Sequence, residues 1–228
     1  METRIITVPQ KTILNLIERN FIKMCQFDLN EPNHRKLYLD AIKYREIINV
    51  DIDIRCKIVK CDKEVFQNNE IHFNNAILKS TDFSHIDEVN VKNIYLYAIT
   101  IGEFSKESDE PVIQQLYSDI WGTAYIDAAR DVLEKQLKAE IGSNLFLTSS
   151  FGPGFNGMTI DSIFALEKMI EMKEIGINLN QMGTMFPIKS VAGMYMVVDD
   201  LHNLPKRICA ECIGNKKTCE FCGINILS

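Results

Sequence analysis

Asp51-Ile-Asp-Ile-Arg-Cys-Lys-Ile58 is where the chain changes period. Ile52, Ile54, Cys56 and Ile58 alternate with Asp53, Arg55 and Lys57, the pattern of a strand with one buried face. Before this point the spacing is helical. Residues 11–24 carry Ile13, Leu14, Ile17, Phe21 and Ile22 along one stripe. The turn Asn30-Glu31-Pro32-Asn33 then leads into a second helical pattern over residues 34–49, and Pro32 can open it. After Asp51, short strands are expected at residues 70–73 and 76–79. Ile94-Tyr-Leu-Tyr-Ala-Ile-Thr-Ile101 is nearly all apolar, as a central strand should be. A long helical pattern covers residues 109–141, with Asp109 and Pro111 as starters and Gly142 as a stop. Residues 159–175 read as another helix, with Thr159 as cap and Gly176 as stop. Residues 190–198 read as a strand. Two helices before the first clear strand, and no regular strand–helix alternation afterwards, predict an α+β domain with an antiparallel or mixed sheet, not a doubly wound fold.

The chain has 228 residues, 46% of them hydrophobic and 25% charged, which excludes a disordered or low-complexity protein. That length suits one large domain with an appendage, divided here into residues 1–204 and 205–228. The net charge of -6 argues against general nucleic-acid binding, which depends on neutralising phosphates. No apolar run approaches the roughly 20 residues needed to span a bilayer. The opening residues lack the basic start and apolar stretch of a secretion signal. The expectation is a cytoplasmic protein that engages neither membrane nor nucleic acid, with its seven cysteines reduced rather than paired.

Four of those cysteines crowd into the tail as Cys209-Ala-Glu-Cys212 and Cys219-Glu-Phe-Cys222, six residues apart. A CxxC pair places two thiolates on one turn, and two such pairs complete a tetrahedral sulfur site. Zinc is the default metal. The spacer is short for a zinc ribbon, and an iron–sulfur cluster uses the same four thiolates, so both remain open.

Three further segments could carry chemistry. Ser150-Phe-Gly-Pro-Gly-Phe-Asn-Gly157 is a glycine-rich loop before a helix. Its glycines would let backbone approach a ligand closely, although a plain tight turn has the same composition. It matches neither GxGxxG nor a P-loop. Met185-Phe-Pro-Ile-Lys-Ser-Val-Ala-Gly-Met-Tyr195 places Gly193 where a bulge or close approach would need it. Tyr195 then reads as a core residue with its hydroxyl at the surface. In the long helix, Gly122, Ala124, Ala128 and Ala129 permit close packing, while Asp127 and Asp131 share a face that a solvated charge ladder would equally explain. His34, His72, His85 and His202 are dispersed. There is no HExxH and no GxSxG, so a zinc protease or a hydrolase triad has no support.

Taken in order, these segments resemble the reactivation domain of cobalamin-dependent methionine synthase. That family's pattern Met-x-Pro-x-x-Ser-Val-x-Gly-x-Tyr is met by Met185, Pro187, Ser190, Val191, Gly193 and Tyr195. Its loop pattern Arg-x-x-Pro-Gly-Tyr is met by Pro153 and Gly154, while Ser150 stands in the arginine position and Phe155 in the tyrosine position. The acidic residue of its long helix falls on Asp127, shorter than the usual glutamate. Motifs are recognisable over roughly residues 90–200. Stand-alone versions of this domain often add a carboxyl-terminal cysteine cluster, as this chain does.

The resemblance implies a curved antiparallel sheet flanked by helices. It implies S-adenosylmethionine binding by Asp127, Ser150, Gly152, Pro153, Gly154, Phe155 and Tyr195. It also implies a corrinoid-carrying methionine synthase or related methyltransferase as partner, with an electron donor protein alongside. In that chemistry the cobalt, oxidised to Co(II), regains one electron, and Co(I) then takes the methyl group from the sulfonium. A Co–C bond forms, the S–C bond breaks, and the cofactors supply the reactivity while the protein supplies position. The competing expectation is a metal-cluster electron-transfer or docking protein for a corrinoid protein that does not use S-adenosylmethionine. The cysteine tail and the absent loop arginine favour it.

Overall fold

The computed structural model describes residues 1–48, 52–104 and 111–200. The four tail cysteines, the boundary expected after residue 204, and Asp109 as a helix starter lie outside those residues.

The chain opens with an edge strand, β1 (Glu2–Thr7), followed by α1 (Gln10–Cys25) and α2 (Pro32–Ile48). β2 (Arg55–Asp62) leads to the small strands β3 (Phe66–Gln67), β4 (Glu70–Phe73) and β5 (Ala76–Lys79). Next come β6 (Val91–Thr100), the long α3 (Val112–Glu140) and the short β7 (Phe146–Leu147). The described chain then forms α4 (Ser162–Ile170), β8 (Asn178–Leu179), β9 (Met185–Phe186) and β10 (Ser190–Val198). The main sheet runs β1-β2-β6-β10-β7, and each neighbouring pair is antiparallel. The expected central strand is indeed the middle one, and the α+β class holds.

Helices α1, α2 and α3 cover one face of this sheet. Their contact with it is built from Cys56, Ile58, Tyr95, Tyr97, Ile99, Tyr195 and Val197. Trp121 joins the three helices. Its ring stacks on Phe21 at 3.7 Å between centroids, and its indole N–H donates to the carbonyl of Ala41 at 3.0 Å. The guanidinium of Arg45 lies over the same ring at 4.9 Å and is held by Glu18 at 2.8 Å. The small residues of α3 serve this packing: Ala124, Ala128 and Ala129 are all buried. α4 and the β3–β5 ribbon cover the opposite face against Val59, Cys61, Leu96, Ala98, Met194 and Met196.

Covering both faces corrects the reading of β2 as a strand with one face in water. Lys57, expected outside, is 1% exposed. A buried ammonium without partners would cost several kcal/mol. Here Glu174 meets it at 2.8 Å, Glu171 at 3.5 Å, and the carbonyl of Glu171 at 3.4 Å. The same partners lie where α4 ends. The expected single helix over residues 159–175 breaks at Glu171, which adopts φ 55° and starts a 3-10 turn over Met172–Ile175. Gly176 then ends the turn as expected, at φ 82°. β1 has no strong sequence signal, because an edge strand keeps residues such as Ile5 half in water.

Cys25, Cys56 and Cys61 are unpaired. Burial pushes the thiols of Cys25 and Cys61 up to about 11 and that of Cys56 to about 12, so none is a nucleophile at neutral pH. Among the described residues no helix is long and apolar enough to cross a membrane.

Candidate functional site

The loop after β7 returns along β10. Thr148 begins the contact: its N–H donates to the carbonyl of Met196, and its hydroxyl accepts from the N–H of Met196. Phe151 and Met194 then exchange both backbone hydrogen bonds, at 2.9 and 2.8 Å. Gly193 is what allows this approach. A Cβ there would lie 2.4 Å from the Phe151 carbonyl oxygen, so the glycine marks a close approach rather than a bulge.

Beyond Phe151 the chain closes on itself. The N–H of Phe155 donates to Gly152, that of Met158 to Phe155, and that of Gly154 to Met158. Gly154 takes φ 82°, a conformation that glycine adopts without strain. The Asn156 amide donates to the carbonyl of Ser150 at 2.6 Å, and the Asn156 carbonyl accepts from the Ser80 hydroxyl at 2.6 Å. Phe151 and Met158 are buried beneath the loop, while Phe155 stands 72% exposed at its rim. The ring is thus fixed on two sides with its Pro153–Phe155 edge outward.

Ser150 points to the helical side of the sheet. Its hydroxyl is 2.7 Å from that of Tyr97 on β6, and the Tyr97 ring stacks on Tyr195 of β10 at 5.2 Å. Tyr195 was expected to carry its hydroxyl to the surface. Instead the hydroxyl is buried and makes no aligned hydrogen bond, although the Tyr97 hydroxyl is near enough to act on it. Burial first, then Tyr97, holds this phenol far above its ordinary range. Tyr97 is also raised by burial, with Ser150 and Arg130 pulling the other way.

α3 supplies the charged side. Asp127 and Arg130, one helical turn apart, meet at 3.0 Å. Their side chains are 24% and 40% exposed. Asp131, on the same helix, pairs across to Arg19 of α1 at 3.4 Å. Burial raises the Asp127 carboxyl, and Arg130 lowers it by less. The unfolded chain therefore holds this proton less tightly than the folded one. The contribution of Asp127 to stability is most favourable at low pH and falls as pH rises from the unfolded value through the higher folded value. Asp127→Asn is expected to unfold at pH 7 at a urea midpoint equal to or above that of the unsubstituted chain. A lower midpoint would mean that the ion pair outweighs the burial of the carboxylate.

The structure places Ser150 beside Tyr97 and the buried Tyr195 on the helix-covered side of the sheet, where α3 carries Asp127. Phe151 and Met158 join the core on the opposite side, with Phe155 exposed. Sequence reasoning missed Tyr97 and Arg130. Tyr97 was hidden in an apolar strand, and Arg130 lay in the quoted helix stretch but was passed over for the acids. Among the described residues no group of three or more His, Cys, Asp or Glu side chains could hold a metal ion.

No family model matches this sequence, and no curated protein matches it. Among solved structures, the fold is similar to the crystal structure of the MetH reactivation domain bound to AdoHcy. The TM-score is 0.62 and the identity 13%, and the match covers 88% of this chain and 80% of that one. The α+β fold, with its antiparallel sheet and helical layer, therefore matches that of the MetH reactivation domain.

Proposed function

We propose that this chain binds S-adenosylmethionine on the surface formed by the 150–157 loop, β10 and α3, and presents its methyl group to the corrinoid of a partner methionine synthase or related methyltransferase. The observation that carries this reading is the fold it shares with a reactivation domain that binds AdoHcy. The local chemistry agrees with it. Phe155 offers an exposed ring face for stacking. Asp127 offers a carboxylate to the ligand's ammonium. Tyr97, Tyr195 and Ser150 form a polar floor, in which the buried Tyr195 hydroxyl makes no aligned hydrogen bond. Within this assignment the loop and β10 hold and orient the sulfonium, the buried side chains exclude water, and the electron comes from a separate donor.

The four tail cysteines are proposed to hold zinc or an iron–sulfur cluster as a module of their own. The reading as an electron-transfer protein without S-adenosylmethionine rests on that tail and on Ser150 standing where the family has an arginine.

Calorimetric titration of the anaerobically purified full-length chain tests both. Saturable heat with S-adenosylmethionine and with S-adenosylhomocysteine is expected. Asp127→Asn should weaken both by roughly tenfold or more, the scale of one lost charge-assisted hydrogen bond. No heat at millimolar ligand removes the proposal. If the same sample then absorbs near 400 nm with stoichiometric iron, the electron-transfer reading takes its place.

A further inference from the structure

An amino-acid head group brings two opposite charges, an ammonium and a carboxylate. Neither residues 148–158 nor β10 contains a formally charged side chain. Ser150 is uncharged and is already engaged with Tyr97 at 2.7 Å. Charge beside the polar floor comes from α3. There Asp127 and Arg130 lie on one helix face, in contact at 3.0 Å and both partly withdrawn from water.

Arg130 meets Asp127, and its charge also reaches the floor. Its positive charge acts on both Tyr97 and Tyr195, the two stacked rings beneath Ser150. An ordinary exposed pair at this spacing stabilises a helix by only about 0.2–0.5 kcal/mol. The charge of this one reaches a buried hydroxyl that has no aligned partner. A pair held partly dry within reach of that hydroxyl is arranged for a ligand that carries both charges.

The geometry points to Arg130 as the carboxylate-binding residue of this site, with Asp127 and Arg130 together receiving the α-ammonium and α-carboxylate of an amino-acid head. Each side chain exchanges its intrahelical partner for the opposite charge on the ligand. The cation comes from the helix instead of the loop, and the guanidinium fork can hold the carboxylate through two parallel N–H donors. The inference rests on the ligand proposed above and adds the determinant of its head-group specificity.

The test titrates the full-length chain and its Arg130→Gln and Arg130→Lys variants with S-adenosylhomocysteine and with 5′-methylthioadenosine, which lacks the amino-acid head. The unsubstituted chain should prefer S-adenosylhomocysteine by at least tenfold. R130Q should lose roughly ten- to hundredfold in affinity for it while keeping its affinity for methylthioadenosine, and R130K should recover part of the loss. Unchanged S-adenosylhomocysteine binding by R130Q overturns the role of Arg130 and leaves the ligand assignment standing. Equal loss of both ligands makes the effect structural and also overturns it. If the unsubstituted chain binds neither ligand, the proposed function falls and this inference with it.

Discussion

Gly193→Ala is expected to abolish measurable S-adenosylmethionine binding, a loss of at least about a hundredfold, and to lower stability by roughly 2–4 kcal/mol. The cause is space rather than backbone conformation. The added methyl group would lie 2.4 Å from the Phe151 carbonyl oxygen, 3.0 Å from the Tyr97 hydroxyl and 3.2 Å from the Ser150 hydroxyl. The first contact is with backbone, which cannot swing aside as a long side chain can. To relieve it the loop must leave β10, breaking the paired hydrogen bonds between Phe151 and Met194. One methyl group thus displaces the loop and its polar floor together. Gly142→Ala is the control, because nothing lies within 4 Å of a Cβ at that position. Titration and urea unfolding of both variants provide the measurement. A G193A protein that binds as tightly as the unsubstituted chain would show that the loop does not need this contact.

Trp121→Ala should produce the largest loss of stability, about 3–5 kcal/mol for a fully buried aromatic side chain. The indole is fully buried and simultaneously touches Phe21 of α1, the Ala41 carbonyl of α2 and the Arg45 guanidinium. Its removal opens a cavity where three helices meet and leaves a carbonyl without its donor. Since α3 also carries Asp127 and Arg130, the helix that holds the charged side of the site loses its main anchor. A domain of this size is typically stable by about 5–15 kcal/mol, so the variant is expected to stay folded at 25 °C with a much lower melting temperature. Trp121→Phe keeps most of the packing and loses the N–H, and it should cost about 1–2 kcal/mol. Thermal and urea unfolding of the pair measure this. A loss below about 1 kcal/mol for W121A would mean that the three helices are held elsewhere.

Sequence pattern was informative wherever one periodicity dominated. β4, β5 and β10 fall on the residues read as strands, and the apolar run at Ile94 marks the middle of the sheet. Within the motif from Met185 to Tyr195, Gly193 answers a backbone contact with Phe151. Local pattern failed where the partner lies far along the chain. Lys57 alternates correctly for a solvent-facing residue, and its partners come from the turn after α4, more than a hundred residues later. The break at Glu171 carries no signal within residues 159–175, and the residues at the break, Glu171 and Glu174, meet the same distant lysine. The apolar Tyr97 and the surface-type Arg130 were equally silent, because a side chain's role depends on what is folded against it.

By itself, then, the sequence determined the α+β class, the helices before β2, the central strand and a special role for Gly193, but not the opening strand β1. These depend on periodicities and backbone preferences that act within a few residues. Tertiary structure alone decided that β2 is covered on both faces, that the Tyr195 hydroxyl is buried, and that Ser150 meets Tyr97 across 53 positions. It also brought the charge of Arg130 on α3 within reach of the two tyrosines. The physical reason is that burial and charge pairing are properties of the surroundings, and for these residues the surroundings come from segments remote in the chain.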